Sequence, residues 1–167
     1  MKTLILSFAI LFIALAAQAQ NTAIDELFNK YGEKEGFTVV TISGRMFSMF
    51  SPEDQVKDAQ GNVISKLKSI RILSVEDSIL NETINFYTEL SKKTNFSGYE
   101  ELMVVKEGQD MTKFLIKQKG DLITELIVIT GGKGGNSLIS IQGDLDMKSL
   151  SNISKEIGIE DAGALSR

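Results

Sequence analysis

The chain has 167 residues, a net charge of −4, and neither histidine nor cysteine. The missing types remove the commonest general base, the commonest zinc ligands, thiol nucleophiles and every Ser-His-Asp arrangement. Acidic and basic residues are interspersed with no basic stripe or arginine-rich tail, which argues against a nucleic-acid partner.

The chain opens with Lys2, an apolar run from Leu4 to Ala17, and Ala17-Gln18-Ala19 ahead of Gln20. A basic start, an apolar middle and a small-x-small site make up a secretory signal peptide, here residues 1–19. A membrane anchor needs roughly 20 apolar residues where this run offers about 14. No cysteine follows it to carry a lipid. The expected mature product, residues 20–167, has no membrane span and is periplasmic or secreted. Its size suits one domain that buries a core without disulfides, which fits a bacterial exported protein.

Next, Ile24, Leu27, Phe28 and Tyr31 recur at helical spacing, with Gly36 as the stop. Phe37 to Ser43 is β-branched and reads as the first strand. Arg45 to Phe50 is dense in large flexible side chains and halts at Pro52, the single proline. Met46, Phe47, Met49 and Phe50 could form a contact surface, since methionine and phenylalanine adapt to varied partners. The alternative is a short helix with Met46, Met49 and Phe50 turned to the core, where such a stripe usually lies. Residues 53–65 are polar and read as a loop, and Lys68 to Val75 as a second strand. Asp77 or Ser78 then caps one helix, with a continuous stripe of Ile79, Leu80, Thr83, Ile84, Phe86, Tyr87 and Leu90, ending near Lys93.

Four apolar runs follow: Tyr99 to Val105, Met111 to Gln118, Leu122 to Thr130 and Ser137 to Gln142. Turns at Glu107-Gly108, Gly120-Asp121 and Gly131 to Asn136 separate them, the signature of an antiparallel meander. Lys113 and Lys117 mark one side of the second run and Phe114 and Ile116 the other, as in a strand with one wet face. Leu126 to Ile129 is apolar on both parities and reads as a central strand. Asp144-Leu145-Asp146 is expected to be a turn and cap for a last helix carrying Met147, Leu150, Ile153 and Ile157, with a frayed tail from Ile159. The sum is one α+β domain: a mostly antiparallel sheet of five or six strands, including the four-strand C-terminal meander, with helices packed mainly on one face.

An enzyme built from this chain would have to use carboxylates, lysine or tyrosine. Glu100 and Glu101 at the start of the meander, with Asp144 and Asp146 at its end, are the carboxylates to weigh, since a glycosidase needs two across a cleft. Turn and capping chemistry explains the aspartates equally well, and the wet edge of a strand explains the glutamates. Asp144-Leu145-Asp146 lacks the third acidic position and the glycine of a calcium loop. Gly131-Gly132-Lys133-Gly134-Gly135 resembles a phosphate loop, but a strand follows it and no Ser or Thr follows the lysine. It is expected to be a flexible hairpin loop whose glycines supply positive φ.

Several segments together resemble one bacterial family: Phe28 to Tyr31, Gly36-Phe37-Thr38-Val39, Met46-Phe47, Tyr99-Glu100-Glu101-Leu102-Met103 and Ile141-Gln142-Gly143-Asp144-Leu145-Asp146. This is the domain of unknown function 4252, small exported proteins of Gram-negative bacteria. The resemblance implies no activity, catalytic residue or cofactor. It does imply genes lying near sigma-factor and anti-sigma regulators, and hence envelope signalling. The expected function is therefore a non-enzymatic binding protein of the cell envelope. Its partner would be an envelope protein or an apolar ligand, met through Met46, Phe47, Met49 and Phe50 or the uncovered side of the sheet. A homo-oligomer is compatible with this. The alternative is a histidine-free hydrolase of envelope glycans acting through Glu101, Asp144 and Asp146.

Overall fold

In the computed structural model, residues 22–50, 65–94 and 96–146 are described. The expected signal peptide, the last helix from Met147 and the frayed tail lie outside them, as does the 53–65 loop apart from Ser65.

Helix α1 (Ala23–Tyr31) begins with a reciprocal cap. The Asp25 N–H donates to Thr22 Oγ1 at 3.1 Å, and the Thr22 N–H donates to Asp25 Oδ2 at 3.1 Å. Ile24, Leu27, Phe28 and Tyr31 are buried. The helix stops at Tyr31, with Gly32 rather than the expected Gly36 as its C-cap, and the chain then doubles back so that Phe37 stacks on Tyr31 with ring centroids 4.7 Å apart. Strand β1 (Phe37–Ser43) runs into the short helix α2 (Gly44–Phe50), and strand β2 (Leu67–Val75) pairs antiparallel with β1.

The expected single helix after β2 is two, α3 (Ser78–Thr83) and α4 (Phe86–Lys93). Asp77 caps the first, accepting from the Ile79 and Leu80 N–H groups, and Asn85 caps the second, accepting from the Thr88 N–H. The break is set from a distance. Asn136 accepts the Phe86 N–H at 2.9 Å and donates to the Ile84 carbonyl at 3.0 Å, holding the elbow open. Ile79, placed in the expected stripe, is 73% exposed.

The meander is as expected: β3 (Glu100–Glu107), β4 (Asp110–Lys119), β5 (Leu122–Gly131) and β6 (Ser137–Leu145), with Gly108 and Gly120 at φ 62° in the tight turns. β6 runs past Gln142 and takes in Asp144, which is thus a strand residue and not a turn. The six strands are antiparallel in the order β1-β2-β6-β5-β4-β3. Helices α3 and α4 carry the chain from β2 to the far edge, and the meander returns strand by strand to dock β6 on β2.

Each face has its own core. Under α1 and α4 lie Leu73, Leu115, Ile127, Ile129 and Leu138, packed with Leu27, Phe28, Phe86 and Leu90. The other face buries Leu67, Ile116, Ile123, Leu126, Ile141 and Leu145, with Phe47 of α2 packed against them. Burying each such leucine or isoleucine contributes about 1.5–3 kcal/mol.

Lys113 and Lys117 share a parity with Leu115, so the supposed wet side of β4 is the helix-covered side. Their charged ends lie 5.3 Å from the Tyr87 ring and 5.7 Å from the Tyr99 ring, and Lys113 pairs with Glu101 at 2.6 Å. The lysines reach over aromatic faces to water rather than marking a bare surface.

Candidate functional site

The register makes the second face a ruled surface. Met103, Phe114, Val128, Ile139, Ile72 and Val40 lie directly opposite one another across all six strands. The next row carries Ile116, Leu126, Ile141, Ile70 and Ile42. On the other flank run Thr112, Thr130, Ser137, Ser74 and Thr38, a row of hydroxyls in which Thr112 and Thr130 are bonded at 3.0 Å. Strand alternation and the antiparallel register place these rows; the first is apolar on all six strands, and the second ends in Glu100, opposite Ile116 on β3.

Helix α2 stands beside this face. Phe47 is half-buried and packs on its core, whereas Met46 and Met49 are 47% and 73% exposed. The stripe expected to turn Met46 and Met49 inward therefore turns them out, because Phe47 is the residue that meets the sheet. Both sulfur side chains follow β1, whose Val39 and Val40 are also exposed. Of the four patch residues, Met46 and Met49 are presented to solvent and Phe47 is their anchor. The side chain of Phe50 lies outside the described residues.

The carboxylates do not converge. Glu101 pairs with Lys113, Asp144 with Lys68 at 2.6 Å, and Asp146 with Lys66 at 2.9 Å. Glu101 and Asp144 belong to β3 and β6, three strand spacings or about 14 Å apart. Glycosidase carboxyls stand about 5–9.5 Å apart, so Glu101 and Asp144 are not such a pair. The glycine loop also differs from expectation. Gly131 to Gly135 all lack positive φ. Gly132 is small because a Cβ there would lie 1.9 Å from Asp110 Oδ1, and Asp110 Oδ2 accepts the Gly134 N–H at 3.0 Å. Packing, not turn conformation, demands glycine at Gly131, Gly132 and Gly134, whereas Gly135 lies in open space.

A polar cluster under the helices escaped the sequence reading. Glu125, 8% exposed on central strand β5, accepts from the Tyr99 hydroxyl at 2.6 Å, the Ser140 hydroxyl at 2.9 Å and the Gln142 amide at 3.3 Å. Burial pushes the Tyr99 phenol well above its usual range, and the bond to Glu125 pushes the same way. One strand from Ser140, Arg71 lies 4.5 Å from the Phe28 ring and pairs with Asp25 at 2.7 Å. Burial raises the Asp25 carboxyl, but hydrogen bonds from Thr22 and Arg71 outweigh it and hold the group below its ordinary value. The signal was present in the sequence: Glu125 is the single charge of β5, and Arg71 stands between isoleucines within β2. The cluster is closed on itself, each partner satisfying another.

Among the described residues no helix is long and apolar enough to cross a membrane. Comparison with curated proteins and with solved structures finds no match. The family model described as a domain of unknown function, DUF4252, matches residues 31–153, which takes in the whole sheet. With most of its length so matched, the chain belongs to the DUF4252 family.

Proposed function

We propose that this protein is an exported, non-enzymatic interaction module of the bacterial cell envelope, which holds an apolar segment of a partner protein against α2 and the adjoining β1 edge. The observation that carries this is the exposure of Met46 and Met49 on a helix anchored by Phe47, together with exposed Val40 on the same sheet face of the adjoining β1. Flexible thioethers on a fixed helix adapt to apolar partners of varied shape. The Leu4 to Ala17 run with its small-x-small site supports export, and the lack of histidine and cysteine supports binding over catalysis. The gene neighbourhood implied by the family resemblance supports a signalling partner.

Site-specific photocrosslinking tests the proposal. A photoreactive residue at Met49 should capture a discrete envelope protein in the native host, and one at Ile79, equally exposed but on α3, should not. The double variant M46S/M49S should lose the adduct formed from a probe at Val40 while melting like the parent. Equal capture from positions 49 and 79, or an adduct indifferent to M46S/M49S, would remove α2 as the contact.

A further inference from the structure

Where the α3–α4 elbow, the β3–β4 turn and the glycine loop meet at one end of the sheet, they flank a cavity of about 160 Å³ that is half open to solvent. Its frame is built in advance. The Asn136 amide, 3% exposed, donates to the Gly132 and Ile84 carbonyls and to Asn81 Oδ1, and Asp110 straps the loop through Gly134. Glu82 and Thr83 come to the cavity from α3, Asn85 from the elbow, Gln109 from the hairpin turn and Lys133 from the loop.

The polar capacity of this lining is mostly unspent. Glu82, Gln109 and Lys133 are exposed and bond to no other described residue, and Asn85 uses only its oxygen, which accepts from the Thr88 N–H. Glu82 and Lys133 line one cavity from opposite elements without pairing with each other. The space equals about five waters at roughly 30 Å³ each, too small for a drug-sized ligand. A lone anion would face Glu82 and a lone cation would face Lys133. A molecule carrying both charges close together satisfies both, with the Asn85 and Gln109 amides completing its hydrogen bonds.

We infer that this cavity binds a small zwitterion of the α-amino-acid class, its carboxylate toward Lys133 and its ammonium toward Glu82. The site is separate from the α2 surface and does not depend on it.

The test is an NMR titration of the ¹⁵N-labelled protein with glycine, following the amide resonances of Gln109, Gly132 and Gly134. Saturable shifts are expected, with a Kd of about 1–10 mM for so small a ligand. N-acetylglycine and glycine methyl ester each lack one charge, and each should bind about fivefold or more weakly, as glycine itself should to E82Q or K133M. Both substitutions fall on exposed side chains, so each variant should melt like the parent. An absence of saturable shifts would overturn the assignment, as would equal responses to glycine and its capped forms. Glucose binding as well as glycine does would also overturn it, since hydroxyl recognition needs neither charge.

Discussion

Asn136 offers the sharpest test of how the helices are held to the sheet. Two of its bonds are enclosed, the Phe86 N–H to Oδ1 at 2.9 Å and Nδ2 to the Gly132 carbonyl at 2.9 Å. Those to Ile84 and Asn81 are only partly buried. Truncation in N136A strands the two enclosed groups at about 1–3 kcal/mol each, so the expected loss is about 2–6 kcal/mol, while the half-buried partners find water. N136D is nearly isosteric and still accepts the Phe86 N–H. It replaces the donating amide by an oxygen facing the Asn81, Ile84 and Gly132 acceptors, so at neutral pH it should destabilise at least as much as N136A. The fold favours the protonated form of the introduced carboxyl, which raises its pKa above the unfolded value. Its penalty should therefore shrink as pH falls. Urea unfolding followed by circular dichroism measures both, with m unchanged if the transition stays two-state. N136D within about 0.5 kcal/mol of the parent at pH 7 would show that the amide does not hold the elbow.

Other outcomes follow from particular contacts. E125A leaves the Tyr99 and Ser140 hydroxyls without their acceptor and should cost about 1–3 kcal/mol, while E125Q keeps an acceptor oxygen and should cost less. Because Glu125 adds to the burial that raises the Tyr99 phenol, E125Q should bring part of the alkaline tyrosine absorbance change back toward pH 10; an unchanged titration would refute the coupling. Asp25 and Glu89 are partly buried, which raises their carboxyls, yet hydrogen bonds hold both below their ordinary values of 3.8 and 4.5. Their contribution is present above those values and is lost as pH falls through the lower folded ones. R71M should flatten the Asp25 share of that acid decline in denaturation measured between pH 6 and 3, and an unaltered slope would count against the pair. Ile141, 4% exposed, should cost about 2–4 kcal/mol as I141A, whereas M49S should stay within about 0.5 kcal/mol. Equal losses by thermal or urea melting would mean that α2 is core.

The meander was legible because its information is local: period-two alternation and glycines at the turns fix β3 to β6 without reference to the rest of the chain. What was misread depends on residues distant in sequence. The split between α3 and α4 comes from an amide some fifty residues downstream, which no helical pattern can register. The apparent wet side of β4 arose from counting Lys113 as polar, when its stem and charge lie over Tyr87 on α4. The glycine loop looked like turn chemistry, yet its need for small residues is imposed by Asp110 across the β3–β4 turn. In α2, spacing alone could not tell which aromatic or thioether meets the sheet, because a helix of seven residues offers only Arg45 and Ser48 to mark its polar side. Glu125 was visible as a single acid in an apolar strand, but its partners Tyr99, Ser140 and Gln142 come together only after three strands have paired.

Glu125 also governs which sheets this sequence can make. Moving β5 by one position against β6 would swing that carboxylate from the company of Ser140 and Gln142 into the isoleucine rows on the reverse side. An ionised acid stranded there costs several kcal/mol, far more than neighbouring backbone bonds could return. A single charged atom group thus acts as an alignment key, discouraging slipped hairpins and strand exchange between copies that an otherwise uniform array of valines, leucines and isoleucines would tolerate.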